Sequence, residues 1–295
     1  MMEPTRQIKF LTYNVWSRED MVVRARMQAL GLLVLRQKPD VIFFQEVTPH
    51  ILRIFQSHHW WEWYTCSAVE EATAPGQHFC LLLSKLPIEG FCRWPLRNSS
   101  ARRCYLEASV NPGGGMKPIH VATAHLESPD PPATMRCVER AVQAEHILSA
   151  LNREDNVVFG GDMSWDDKVD LPFPLLEGWV DAWEKLRPSD RYYTFDDLWN
   201  REPLRASCRD RKFPRFIGPP LESAMTQRRS DRFVCKLKDY ELKSIELIGV
   251  ESKAKQGFRI YSGLSFLNDR DETIDFVPSS HFGVVLTLVP KEEEP

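Results

Sequence analysis

Residues 8 to 47 read IKFLTYN, then MVVRARMQALGLLVLRQ with its apolar residues at helical spacing, then PDVIFFQEV: a strand, a helix and a second strand. The alternation recurs in IHVATAHLES, DPPATMRCVERAVQAEHILSALN and NVVFGGD. In that second helix Pro131 and Pro132 are expected at the opening turn, and Met135, Val138, Val142 and Leu151 on one face. Elements in this order constrain the chain to a layered α/β fold.

Strand-like runs account for much of the remainder. HFCLLLSKLP and FCRWPLRNSSARRCYLEASV are expected to be neighbouring strands joined by a turn at Pro87 to Gly90, and NPGGGMKP turns YLEASV into the next strand. From about residue 168 to 230 the pattern loosens into proline, aromatic and charged residues, which indicates long loops between short elements. RFVCKLKDYELKSIELIGV and HFGVVLTLVP then return to strand. No Ser/Gly linker, repeat or low-complexity segment interrupts the chain. With 295 residues, 43% of them hydrophobic, it can bury one large core, so a single domain over 1–295 is expected.

Several function classes are disfavoured. No stretch approaches 18 consecutive apolar residues, and MMEPTRQIKF carries charge straight into a strand-like run, so no membrane association is expected and a soluble intracellular protein is. Seven cysteines, an odd number without a CxxC pair, read as reduced thiols and not as a zinc site. A formal net charge of -3 gives no global attraction to nucleic acid, so phosphate binding must rest on a metal or on a local cluster such as Arg97 to Arg103 or Arg205 to Arg215. There is no GxSxG elbow, Walker loop, GxGxxG or HEXXH.

The informative feature is how the apolar runs end. FLTYN stops at Asn14, VIFFQE at Glu46, VATAH at His125 and VVFGGD at Asp162, while SSHFGVVLTL begins with His281. Any one of these is what strand ends commonly carry. Together they form a chemical set at the sheet ends, where α/β proteins bind ligands. Asn can hold a phosphate oxygen, Glu a hard cation, Asp can take a proton from water, and His can donate to a developing oxyanion. The set suits metal-assisted hydrolysis of a phosphodiester, with Mg²⁺ or Mn²⁺ as the cation for oxygen ligands. Gly160 and Gly161 are expected to let the backbone approach a ligand closely.

The pieces TYNVW, FFQEV, HLES, GGDMSWDD, SDRF and SSHFG, in this order, resemble the endonuclease/exonuclease/phosphatase superfamily. FQEVTPHILRIFQSHHWW and GGDMSWDDKVDLPFPLLEGWVDAW extend the resemblance to the tyrosyl-DNA phosphodiesterase 2 family in its plant-type form. The resemblance implies a four-layer α/β sandwich with two central mixed β-sheets, DNase I-like. It implies a Mg²⁺-dependent enzyme, monomeric and nuclear with a cytoplasmic pool as the alternative, acting in DNA repair. Its substrates would be DNA 5′ ends carrying the phosphotyrosyl adducts left by topoisomerase II, with single-stranded DNA as partner. Another phosphodiesterase or phosphatase of the same fold is the alternative.

Carried onto this chain, the resemblance makes Glu46 the metal carboxylate, with Asn14 near metal and phosphate, and Asp162 the general base. His281 would stabilise charge on the phosphorane-like oxygens, oriented by Asp231. His125, Ser128 and Arg103 would grip the phosphate. Trp165, Trp179, Trp183, Tyr192 and Tyr193 are candidates for stacking on a tyrosine or on bases. Two positions depart from the family pattern: Ser164 stands where GDxN has asparagine, and Ser280 where SDH has aspartate. Loss of the second carboxylate leaves two expectations: Asp231 orients His281 with reduced activity, or the chain is a weakened enzyme that binds DNA ends.

Overall fold

The computed structural model describes residues 6–67, 78–130, 134–190, 192–196, 227–249, 252–255, 258–261, 265–267, 273–275 and 277–292. The basic run Arg205 to Arg215 lies outside them. Among the described residues, no helix is long and apolar enough to cross a membrane.

Two six-stranded sheets carry the architecture. The first runs in the order β13 (Tyr240–Ile248), β18 (Gly283–Pro290), β1 (Ile8–Asn14), β2 (Val41–Val47), β4 (Phe79–Ser84) and β3 (Thr65–Cys66). The second runs β5 (Ile88–Pro95), β6 (Cys104–Val110), β7 (Ile119–His125), β8 (Asn156–Asp162), β12 (Asp231–Leu237) and β9 (Trp179–Asp181). Short two-stranded ladders pair β10 (Phe195–Asp196) with β11 (Gln227–Arg228), β14 (Ser252–Lys255) with β15 (Phe258–Tyr261), and β16 (Ser265–Leu267) with β17 (Thr273–Asp275).

Each large sheet is built around one parallel pair. β1 and β2 are parallel and joined by α1 (Val23–Gln37), and β7 and β8 are parallel and joined by α3 (Cys137–Leu151). A crossover helix is what a parallel pair needs, because a tight turn cannot return the chain to the same end of the sheet. Antiparallel strands flank both pairs: β18 and β4 in the first sheet, β6 and β12 in the second.

Alternation along the strands explains the layers. Phe10, Val41 and Phe43 point to one side and share a core with Val121, Val158 and Phe233 of the opposite sheet. Leu11, Tyr13, Ile42 and Phe44 point the other way, onto Met27, Leu30 and Val34 of α1 and Ile51 and Phe55 of α2 (Pro49–Gln56). Ala122, Ala124 and Phe159 of the second sheet meet Ala144, Ile147 and Leu148 of α3. The result is helix, sheet, sheet, helix, the four-layer sandwich with mixed sheets that the sequence resemblance implied.

Two expectations are corrected. β4 and β5 follow one another in sequence but pair in different sheets, so Pro87 is in a crossing between layers and β5 pairs with β6 instead. RFVCKLKDYELKSIELIGV forms strands as expected, β12 and β13, one in each sheet. Helix α3 begins at Cys137, past the prolines, and buries Gln143, Ala144, Ile147, Leu148 and Leu151. Val138 is 73% exposed, because the burying stripe is set by the second sheet and not by the apolar residues nearest the prolines.

The glycine pair has a packing role. A Cβ on Gly160 would lie 2.4 Å from the Phe233 ring between the sheets, and one on Gly161 would lie 2.2 Å from the main-chain oxygen of Ala124 on β7. Close approach is required here, as the sequence suggested, but to the neighbouring strands β12 and β7 and not to a ligand.

Candidate active site

Because the central strands of both sheets end at the same edge of the sandwich, their terminal residues converge. Asn14 closes β1, Glu46 is near the end of β2, His125 closes β7 and Asp162 closes β8. His125 and Asp162 are register partners, as are Asp162 and Asp231, which opens β12. His281 precedes β18, antiparallel to β1, and so reaches the same edge.

Asp162 is at the centre. Its Oδ2 accepts from Asn14 Nδ2 at 2.8 Å and lies 3.2 Å from His125 Nε2 and 3.8 Å from His281 Nε2. Its Oδ1 accepts from the Ser164 main-chain N–H at 2.7 Å. Asn14 Nδ2 also donates to Glu46 Oε1 at 3.1 Å, while Asn14 Oδ1 accepts from Trp16 N at 2.9 Å. Asn14 therefore serves as a donor spacing two anions. As it stands, its oxygen is turned to the Trp16 main chain and its NH₂ to the two carboxylates. Glu46 Oε2 accepts from both N and Oγ of Ser17, at 2.9 and 2.8 Å.

Backbone geometry helps aim these groups. Trp16, Glu46 and Ser164 all have positive φ, at 60, 58 and 49°. Non-glycine residues in this region cost of order 1–3 kcal/mol each and cluster at functional sites. For Glu46 the turn coincides with an irregularity in the β2–β4 ladder between Phe44 and Val47, which re-aims its side chain from the pleat to the sheet edge.

His281 Nδ1 is 2.8 Å from Asp231 Oδ2, and Asp231 N donates to Thr194 Oγ1 at 2.9 Å. The carboxylate that orients the histidine thus comes from β12, whatever stands at Ser280. Ser279 takes part locally: its Oγ donates to Asn14 O at 2.5 Å and accepts from His281 N at 3.2 Å.

Charges in the cluster diverge by environment. Burial lowers the tendency of His281 to protonate, but Asp231 and Asp162 outweigh it and raise the imidazole to about 9. Burial and the nearby Arg103 push His125 well below its ordinary value, so it is neutral. Burial works against ionisation of Asp162 and Glu46, yet the facing histidines, Asn14 and main-chain donors outweigh it and hold both below the usual carboxylate range. Asp231, the most deeply enclosed of the three acids, is raised by burial.

The expected phosphate-binding residues lie on one side of Asp162. Ser128 Oγ is 3.1 Å from His125 Nε2, 3.0 Å from Arg103 Nη2 and 3.3 Å from Ser164 Oγ. Arg103 Nη1 donates to Leu126 O. Trp165 is the exception among the expected substrate residues. It is 1% exposed, packed on Phe173, with Nε1 donating to Leu171 O, because its large apolar ring serves the core beneath α3. Trp179 and Trp183 are also buried, the latter stacked on Tyr192 at 3.7 Å.

Sequence reading missed Ser17, Thr194 and Ser279, which support the cluster through hydrogen bonds, and His78, whose ring is 5.8 Å from that of His125. A signal existed for two of them. His78 opens the strand-like run HFCLLLS as His281 opens its own, and Ser279 stands where a hydroxyl can cap the turn into His281.

The donor set fits a hard divalent cation. Ligand atoms of Glu46, His125 and Asp162 lie within 4.8 Å of one another, as do those of Asp162, Asp231 and His281. The two carboxylates held ionised, Glu46 and Asp162, supply the oxygen donors such an ion prefers.

A family profile described as the endonuclease/exonuclease/phosphatase family matches residues 11–203. The chain belongs to that family. It is similar in sequence to tyrosyl-DNA phosphodiesterase 2 of Gallus gallus, 27% identical over 72% of this chain and 57% of the relative. It is also similar to the 5′-tyrosyl-DNA phosphodiesterase of Caenorhabditis elegans, 24% identical over 66% of this chain and 52% of the relative. The chain thus spans a little over half the length of these curated relatives. In fold it matches D. rerio TDP2 complexed with single strand DNA product, with a TM-score of 0.68 at 19% identity over 96% of this chain and 98% of that one. Truncated Caenorhabditis elegans TDP2 matches with a TM-score of 0.69 at 20% identity over 96% and 97% of the two chains.

Proposed function

We propose that the chain is a Mg²⁺-dependent 5′-tyrosyl-DNA phosphodiesterase that releases tyrosine from topoisomerase II adducts during DNA repair, working as a monomer in the nucleus as a single domain. The observation that carries the reading is the position of Asp162, an ionised carboxylate between neutral His125 and protonated His281, with His281 tied to Asp231. The sequence relatives named as tyrosyl-DNA phosphodiesterases, and the matching fold solved with a single-stranded DNA product, support the choice of substrate.

Glu46 would hold the cation, which supplies Lewis-acid polarisation and charge neutralisation at the phosphate. Arg103 and Ser128 bind the phosphate oxygens, the guanidinium by paired N–H donors. Asp162 accepts a proton from the attacking water as its oxygen bonds to phosphorus. His281, protonated, donates to the oxygen on which negative charge grows, and Asp231 fixes its orientation. The bond from phosphorus to the tyrosyl oxygen breaks, and the phenolate leaves without a strong general acid because phenol has a pKa of about 10.

The direct test is incubation of a 5′-phosphotyrosyl oligonucleotide with the protein and either Mg²⁺ or EDTA. Metal-dependent appearance of a 5′-phosphate and free tyrosine is the expected result. Binding of the oligonucleotide without release would instead assign the chain to DNA-end binding, and cleavage of abasic or polyadenylate substrates in preference would assign it another phosphodiester.

A further inference from the structure

Arg26 carries a buried charge that the mechanism does not use. It lies in the first turns of α1, is 1% exposed, and forms no close ion pair among the described residues, although the Glu46 and Asp20 carboxylates act on its charge. Its Nε donates to Pro278 O at 3.2 Å. Nη1 donates to Arg18 O at 2.6 Å and Met21 O at 3.2 Å, and Nη2 to Val15 O at 2.7 Å and to Trp16 O. All five guanidinium N–H groups are thus spent on main-chain oxygens. Four of those oxygens belong to the turn between β1 and α1, and the fifth is 252 positions away in sequence, just ahead of His281.

Both segments so joined carry the site. In the first, Trp16 N donates to Asn14 Oδ1, and Ser17 donates twice to Glu46. Trp16 has a φ of 60° and its ring lies 4.6 Å from the guanidinium, so the cation braces a backbone conformation that does not hold itself. In the second, Ser279 links Asn14 O to His281 N. Filling space at this point of the helix would need only leucine or methionine. Five converging carbonyls need a planar group with five donors, which no other side chain offers.

We propose that Arg26 is a positioning residue that fixes the turn supporting Glu46 relative to the segment presenting His281. This rests on reading Glu46 as the metal carboxylate and His281 as the group that meets developing charge. Arg26 touches neither substrate nor metal; it sets the distance between two groups that do.

Arg26→Lys retains a cation but offers three donors from one point. In hydrogen–deuterium exchange of the folded proteins, amides at 16–18 and at 279–282 should both exchange about tenfold faster in the variant, while those of β7 and α3 keep wild-type rates. Mn²⁺ affinity, read from the electron paramagnetic resonance signal of free ion, should fall about tenfold, the scale seen when a group supporting a metal ligand is lost. Ser17→Ala removes one of the two donors at the far end of the same chain, the hydroxyl, without touching the core. It should weaken Mn²⁺ binding while leaving exchange at 279–282 unchanged.

Wild-type exchange in both segments of Arg26→Lys overturns the proposal. So does wild-type Mn²⁺ affinity in Ser17→Ala, which decides the matter if Arg26→Lys does not fold. A wild-type protein that binds no Mn²⁺ removes the metal reading of Glu46 separately, and the exchange data still judge Arg26.

Discussion

Nδ1 of His281 and Oδ2 of Asp231 lie 2.8 Å apart, although the histidine precedes a strand of one sheet and the aspartate opens a strand of the other. A carboxylate from across the sandwich therefore holds the imidazole, and position 280 need not supply one. Asp231→Asn should lower turnover about 10–100-fold, the usual scale for removing a group that orients a functional one. Ser280→Asp should leave turnover unchanged or lower it. Steady-state rates on the phosphotyrosyl oligonucleotide check both, and a large gain in Ser280→Asp would mean that Asp231 does not suffice.

The same pair sets a pH dependence. Burial lowers the His281 pKa, Asp231 and Asp162 raise it further than burial lowers it, and the result is about 9. If the imidazolium is the working form, activity persists below that value and falls as pH rises through it. Removing the Asp231 charge removes a raising influence, so the fall in Asp231→Asn should move to lower pH. A kcat profile from pH 6 to 10 reads the shift, and coincident alkaline limbs would count against a protonated His281.

Glu46→Gln keeps the shape of the side chain and its contacts with Ser17 while deleting an anion. The concentration of Mg²⁺ at half-maximal rate should rise about tenfold or more. Equal Mg²⁺ titrations for variant and wild type would remove Glu46 from the metal.

Gly161→Ala tests the packing reading of the glycine pair. The added methyl would meet the Ala124 main-chain oxygen at 2.2 Å, and a paired strand cannot shift as a flexible side chain can. Overpacking of this kind costs about 1–3 kcal/mol or more. A urea unfolding curve with an unchanged midpoint would show that β7 and β8 are less tightly set than described.

The fold was legible where periodicity carried it. β1, α1 and β2 follow directly from IKFLTYN, the helical spacing and VIFFQEV, and the polar residues ending these runs do converge. Sheet membership was not legible, because β4 and β5 adjoin in sequence while their pairing is decided by long-range partners. Trp165 sits beside Ser164 in sequence and yet points into the core, since neighbouring side chains leave the backbone in different directions and only packing tells which one faces the ligand. Arg26 was hidden for a similar reason: an arginine in an amphipathic helix reads as solvated unless the carbonyls it meets are known.

In the proposed reaction Asp162 takes the proton from the attacking water. Asp162→Asn is nearly isosteric and can still accept from Ser164, so single-turnover release of tyrosine from the 5′-phosphotyrosyl oligonucleotide in saturating Mg²⁺ isolates the lost base. The rate should fall about 10²–10⁴-fold with oligonucleotide binding retained. A folded Asp162→Asn protein that releases tyrosine at the wild-type rate would exclude Asp162 as the base.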